Sequence, residues 1–243
     1  MIQEVLAVDL DGTLLHPEPE AIAVWGRTRY QYLSQTAANK LAEISQKIPV
    51  VIATARHAQT VKSLVEKLPV THFFGFVLEN GLVVKKNLNE SSVAQKNFQE
   101  ITQLLPQWSI IEGYENCLSL IPPSSIENPQ EEVEQIISNL QIQAYVYLDG
   151  HKLFVYPTMP SKLAGLRALD CVPILAMGND WNDLDMLRAS SCPLTVSNAH
   201  VKVKALINDD KGYCSPLVSH AATEDILKQA IFRLNNSEKC LTL

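Results

Sequence analysis

No C-x-x-C pair occurs in the sequence, and its five cysteines (Cys117, Cys171, Cys192, Cys214, Cys240) are odd in number and scattered. That pattern speaks for reduced thiols and against a disulfide framework or a zinc site. Long apolar runs are missing too. Pro49 to Ala53 and Val172 to Met177 stop far short of the roughly 20 residues that span a membrane. Positive charge is scarce: 20 Lys+Arg face 26 Asp+Glu, a net charge of −6. The chain therefore offers no basic field, and no nucleic acid is expected as a partner. Charged residues make up only 19% while hydrophobic ones reach 47%, which suits a large core and excludes a disordered chain. The start meets acidic residues at once (Glu4, Asp9, Asp11), so no signal peptide is expected and a soluble, cytoplasmic protein is. No internal repeat or low-complexity segment is seen. The 243 residues suit one large domain or a core with a smaller second one.

What is present is organised in two styles. Val5 to Val8 is apolar at every position, as a parallel strand buried on both faces would be. The pattern returns at Val50 to Ala53, Phe74 to Leu78, Ile174 to Met177 and, more weakly, Pro193 to Val196. Helical periodicity lies between these runs, at Ala38 to Lys47, Thr60 to Leu68, Asn182 to Ala189, Val201 to Ile207 and Glu224 to Leu234. Alternating strands and helices predict an α/β, doubly wound parallel sheet. From Leu82 to about Pro160 the style changes. Strands at Leu118 to Ile121, Ala144 to Leu148 and Lys152 to Tyr156 sit beside helical patterns at Val93 to Leu105 and Pro129 to Leu140. Asp149-Gly150 predicts a type I′ hairpin between the last two strands. We expect a small α+β domain at 82–160 inserted into a core made of 1–81 and 161–243, with a frayed tail from Asn235.

In an open parallel sheet, ligands bind beyond the carboxyl ends of the strands. Asp9-Leu10-Asp11-Gly12-Thr13, Thr54-Ala55-Arg56 and Gly178-Asn179-Asp180-Trp181-Asn182-Asp183 all follow apolar runs, so acids, amides and hydroxyls converge on one rim. Asp9 and Asp11 are two apart and face one side while the backbone stays extended. Two carboxylates there repel unless a cation or a shared proton intervenes. Clustered hard oxygens suit Mg²⁺, which also binds phosphate oxygens. One carboxylate could then attack phosphorus, and the other could move the proton.

These residues resemble the haloacid dehalogenase (HAD) superfamily. Asp9 to Leu14 looks like its D-x-D-G-T-L signature, Thr54 to Arg56 its T-G-R, and Lys162 with Leu166 and Leu169 its K-G-x-A-L-x-x-L. Gly178 to Asp183 resembles G-D-x-x-N-D, and Glu79-Asn80-Gly81-Leu82 the turn that leads into the cap in the sugar-phosphatase branch. The resemblance implies a Rossmann-like core with a C2-type cap. It implies Asp9 as nucleophile, Asp11 as general acid/base, and Thr54 and Lys162 as further catalytic groups. It implies Mg²⁺ as cofactor, held by Asp9, Asp11, Asn179 and Asp183, with Thr13, Arg56, Asn80 and Asn182 toward the substrate. The expected activity is hydrolysis of a small phosphorylated metabolite, a sugar phosphate by likeness to sucrose-phosphate and mannosyl-phosphoglycerate phosphatases. The alternatives are a phosphomannomutase-type phosphomutase and a catalytically silent binding module.

This chain departs from the pattern in three places. Asn179 stands where the family has its first acid, Ala55 replaces the usual glycine, and only 15 residues separate Lys162 from Gly178. The sequence leaves open whether Asn179 or Asp180 meets a metal. Taken singly, Thr54 reads equally as a helix N-cap, Lys162 as a solvated lysine, and Glu79 and Asn80 as ordinary turn residues. Trp25, Arg27, Arg29 and Tyr30 read as a surface or packing cluster.

Overall fold

Each apolar run becomes a strand of one sheet. The structure, a computed structural model, describes residues 2–26, 28–70, 72–90, 98–209 and 212–236. In chain order β1 (Gln3–Val8) leads to a hairpin of β2 (Ile22–Trp25) and β3 (Tyr30–Leu33), then α1 (Gln35–Ser45), β4 (Val50–Ala53), α2 (Ala58–Val65), β5 (Gly75–Leu78) and β6 (Val83–Lys85). Next come α3 (Gln99–Gln103), β7 (Ser109–Ile110), β8 (Leu118–Ile121), α4 (Pro129–Asn139), β9 (Tyr145–Asp149) and β10 (Lys152–Tyr156). The chain ends with α5 (Lys162–Ala168), β11 (Cys171–Met177), α6 (Leu184–Arg188), β12 (Cys192–Thr195), α7 (Val201–Asp209), β13 (Tyr213–Cys214) and α8 (Ser219–Asn236).

Two compact units result, Met1–Glu90 with Ser161–Leu243, and Ser91–Pro160. The division falls after residue 90 rather than after 81, because β6 pairs antiparallel with β5 and stays in the first unit. That unit carries a seven-stranded sheet in the order β13-β12-β11-β1-β4-β5-β6. All its pairs except β5–β6 are parallel. Val8 lies opposite both Met177 and Ile52, so the chain leaves β1, β11 and β4 at one level of one edge. Helix α1 shows the local logic. The Ser34 hydroxyl caps it by accepting from the Ala37 N–H at 3.1 Å, and its buried face is Ala37, Ala38, Leu41 and Ile44. Full burial of Leu41 or Ile44 contributes about 1.5–3 kcal/mol each.

The second unit is a four-stranded antiparallel sheet, β7-β8-β10-β9. Leu118, Leu120, Leu153 and Val155 alternate onto one face and form its own core with Ile101, Val133 and Ile137. Its hairpin differs from expectation. Asp149 pairs with Lys152, so the loop is Gly150-His151, and of these two only Gly150 has positive φ, at +60°. That fits a type II′ turn rather than the expected type I′. Of the expected helix at 93–105, residues 93–97 lie outside the described residues, as do Arg27, Cys240 and the tail from 237. No described helix is long and apolar enough to cross a membrane.

Candidate active site

Asp9 follows β1 directly, and its N–H donates to the Met177 carbonyl at 2.9 Å, which carries strand pairing one residue past the end of β1. The backbone then coils. Thr13, Leu14 and Leu15 donate to the Leu10 carbonyl, and Gly12 takes φ +80°. Lys162 reaches the same point from α5. Its start is fixed by Ser161, whose hydroxyl accepts from the Ala164 N–H at 3.0 Å and donates to Asp185 Oδ2 at 2.5 Å. The Lys162 ammonium is wholly buried, 2.6 Å from Asp9 Oδ1 and 2.5 Å from Asp183 Oδ1. The short segment between Lys162 and Gly178 therefore suffices to bring the lysine in. Burial opposes its charge, yet Asp183 and Asp9 hold its pKa above the ordinary lysine value. Burial and the Asp183 carboxylate push Asp9 up to about 7, with Lys162 pulling the other way.

Asp183 does not face outward. Its Oδ1 takes Lys162, and its Oδ2 accepts the backbone N–H groups of Asn179 at 2.9 Å and Asp180 at 3.0 Å. Gly178 permits this, since a Cβ there would stand 2.6 Å from the Asp183 side chain. Asp180 turns its carboxylate to the Trp181 N–H at 2.7 Å and closes a capping box with Asp183. Asn179 is thus the residue of this turn that meets Asp9. One end of its amide lies 3.0 Å from Thr13 Oγ1, 3.0 Å from the Asp11 carbonyl oxygen and 3.3 Å from Asp9 Oδ2. With oxygen at that end, Asp9 Oδ2, Asp11 O and Asn179 Oδ1 form a trio of hard oxygens. Three hard oxygens of this kind suit Mg²⁺, which these residues would hold. Asp183, expected as a ligand, is committed to Lys162 and the turn. Among the described residues no group of three or more His, Cys, Asp or Glu side chains could hold a metal.

Arg56, expected toward substrate, is fully buried and forks onto Asp11: Nε to Oδ2 at 2.8 Å and Nη2 to Oδ1 at 2.6 Å. Its Nη1 donates to the Trp25 carbonyl at 3.4 Å, which ties the β2–β3 turn to the same group. Such a bidentate pair is the strong form of ion pair. Thr54 does not cap α2, whose N-cap is His57. The Thr54 hydroxyl accepts from the Arg56 N–H at 3.2 Å, and its carbonyl accepts from the Asn80 N–H at 3.0 Å. Asn80 and Asn182 meet through their side chains at 3.1 Å. Thr13 is buried, with its carbonyl accepting from Thr223 Oγ1 at 2.6 Å. Sequence reasoning missed the Ser161–Asp185 pair and Thr223. A serine just before a helix start signals the Ser161 cap, whereas nothing local points to Thr223.

Residues 6–114 match a family described as haloacid dehalogenase-like hydrolase. The fold matches a haloacid dehalogenase-like hydrolase from Bacteroides thetaiotaomicron with TM-score 0.70 and 17% identity, covering 96% of this chain and 99% of that one. By that match over 6–114 and by that fold, the chain is similar to haloacid dehalogenase-like hydrolases. It is also similar to the sucrose-phosphatase of Synechocystis, solved with sucrose and phosphate, with TM-score 0.60, 14% identity and coverage of 97% and 99%. A protein of Thermoplasma acidophilum matches with TM-score 0.66 at 14% identity, covering 97% and 99%. A search of curated proteins gives no significant match.

Proposed function

We propose that this protein is a Mg²⁺-dependent, cytoplasmic phosphatase that removes phosphate from a small phosphorylated metabolite, with a sugar phosphate as the favoured class. The observation that carries the reading is the buried Lys162 ammonium between Asp9 and Asp183, with Asp11 two residues beyond Asp9. Lys162 holds Asp9 in place and offsets its charge as a phosphoryl group approaches. Asp9 then attacks phosphorus and forms an aspartyl-phosphate, while the ester oxygen leaves with a proton from Asp11. In the second half Asp11 takes a proton from water, the water oxygen bonds to phosphorus, and the Asp9–phosphorus bond breaks.

To serve as the acid Asp11 must leave the Arg56 fork and take up a proton from solvent, so Arg56 acts here as a positioning residue for the acid/base. Three carboxylates (Asp9, Asp11, Asp183) against two cations (Lys162, Arg56) leave the site one negative charge. A bound Mg²⁺, held by Asp9, the Asp11 carbonyl and Asn179, supplies the positive charge that lets a phosphate dianion approach.

The test is phosphate release from a panel of sugar phosphates and p-nitrophenyl phosphate, with Mg²⁺, with chelator, and with Asp9→Asn. Release that requires both Mg²⁺ and Asp9 is expected. Folded protein that releases nothing at high Mg²⁺ overturns the reading.

A further inference from the structure

Asn179 does more than stand in for an acid. We propose that its carboxamide is a reversible closure of the cation site: nitrogen inward when the site holds no cation, oxygen inward when it does. This rests on the cation reading above.

With the oxygen inward, Asn179 accepts one hydrogen bond from Thr13 Oγ1 at 3.0 Å. It also confronts the Asp11 carbonyl at 3.0 Å, which has no proton to give, and Asp9 Oδ2 at 3.3 Å, which has none once Asp9 is ionised. Such a cluster is at ease only around a cation. With the nitrogen inward, two amide protons have three acceptors in reach, the same three atoms. The change needs no movement of the backbone, because the terminal torsion of asparagine is broad and roughly two-fold. The backbone is in fact pinned: the Asn179 N–H donates to Asp183 Oδ2 at 2.9 Å, and its carbonyl accepts from the His200 N–H at 2.8 Å. Gly12 leaves the room, since a Cβ there would lie 2.4 Å from the outer end of the amide.

An aspartate could not do this. Both ends of a carboxylate are acceptors, so the metal-free site would carry a further negative charge against Asp9 with no proton to bridge it. The asparagine thus exchanges grip on the ion for a satisfied empty site.

The test uses the full chain in chelator and in MgCl₂, with melting curves and titration calorimetry on wild type, Asn179→Asp and Asn179→Ala. Asn179→Asp is expected to melt lower than wild type in chelator and to bind Mg²⁺ at least about tenfold more tightly. Asn179→Ala adds no charge and decides the matter if the aspartate variant does not fold without metal. It should also melt lower in chelator, and it should bind Mg²⁺ more weakly than wild type. Mg²⁺ uptake by wild type together with an alanine variant that melts in chelator like wild type overturns this inference alone. Absence of Mg²⁺ uptake by wild type and both variants overturns the cation reading itself, and this inference with it.

Discussion

Asp9 carries a cost that its neighbours only partly offset. Its carboxyl is raised from 3.8 to about 7 by burial and by Asp183. The folded protein therefore holds a proton that the unfolded chain has released between those two pH values. The favourable contribution of that proton is complete below about pH 4 and lost as pH rises through 7. Asp9→Asn keeps a neutral side chain at every pH. In chelator, its melting temperature relative to wild type should rise from pH 4 to pH 8, with a gain at pH 8 of roughly 1–3 kcal/mol. A pH-independent difference between the two proteins would contradict this. The sequence singled out Asp9, Asp11, Lys162 and Asn179 as candidates, because each lies just beyond a strand or in a motif of fixed spacing, and the fold brings Lys162 and Asn179 to Asp9. The partners of Arg56 were not legible. Its guanidinium closes on Asp11 and Trp25, 45 and 31 positions away, and only the side-by-side strands β1 and β4 bring them together.

Among the turns, Glu79-Asn80-Gly81 is the most constrained: φ is +50°, +57° and +100° at the three residues, and Glu79 and Asn80 are both buried. Left-handed backbone at non-glycine residues persists only where the surroundings dictate it. Here the Glu79 and Asn80 N–H groups reach the carbonyls of Arg56 and Thr54. Gly81 lies against the Ser161 carbonyl so closely that a Cβ would stand 1.9 Å from that oxygen. Gly81→Ala should destabilise the protein by about 2–4 kcal/mol in a denaturant titration, through both φ and the clash. It should also lower activity by displacing the start of α5, on which Lys162 sits. A value under 0.5 kcal/mol would show that the contact relaxes freely.

At α8 a chain of hydrogen bonds runs from His16 Nε2 to Thr223 Oγ1 at 2.7 Å and on to the Thr13 carbonyl at 2.6 Å. Thr223 donates onward, so His16 is the donor to it. Burial, then His220, holds the His16 pKa down to about 4. Folding with that neutral ring contributes stability above about pH 6.5 that is lost as pH falls through 4. His16→Gln should flatten this limb of the stability–pH curve by about 1 kcal/mol, measured by urea titration at pH 4.5 and 7. At this scale the sequence was readable where runs were long. The five apolar runs and the helices between them are present, displaced by a few residues. The β2–β3 hairpin and strands β6, β7 and β13 went unread; the last three, at two or three residues, give no period to detect.

For the molecule as a whole, the change of style at residue 82 anticipated a second unit but placed its start early, since β6 is an edge strand whose sequence carries no mark of its sheet. The sheet order was beyond reach of the sequence, because it depends on which strands meet and not on which segments are strands. That order makes the first unit discontinuous: β1 has β4 on one side and β11 on the other. A fragment of residues 1–160 lacks β11, β12 and β13, and leaves Val5 to Val8 open along one edge. It should show no cooperative melting of the first unit by circular dichroism, whereas the second unit has its own hydrophobic core within residues 98–155. A cooperative transition of full size from the fragment would contradict this.

The same pairing sets a sequence of events during synthesis. Strand β1 leaves the ribosome before its partner Cys171–Met177, which follows more than 160 residues later. At translation rates of about 5–20 residues per second, the centre of the sheet waits on the order of 10 s or more for its neighbour. During that interval the nascent chain displays Val5 to Val8 open along one edge, which makes it a natural client for chaperones that hold such edges until β11 arrives.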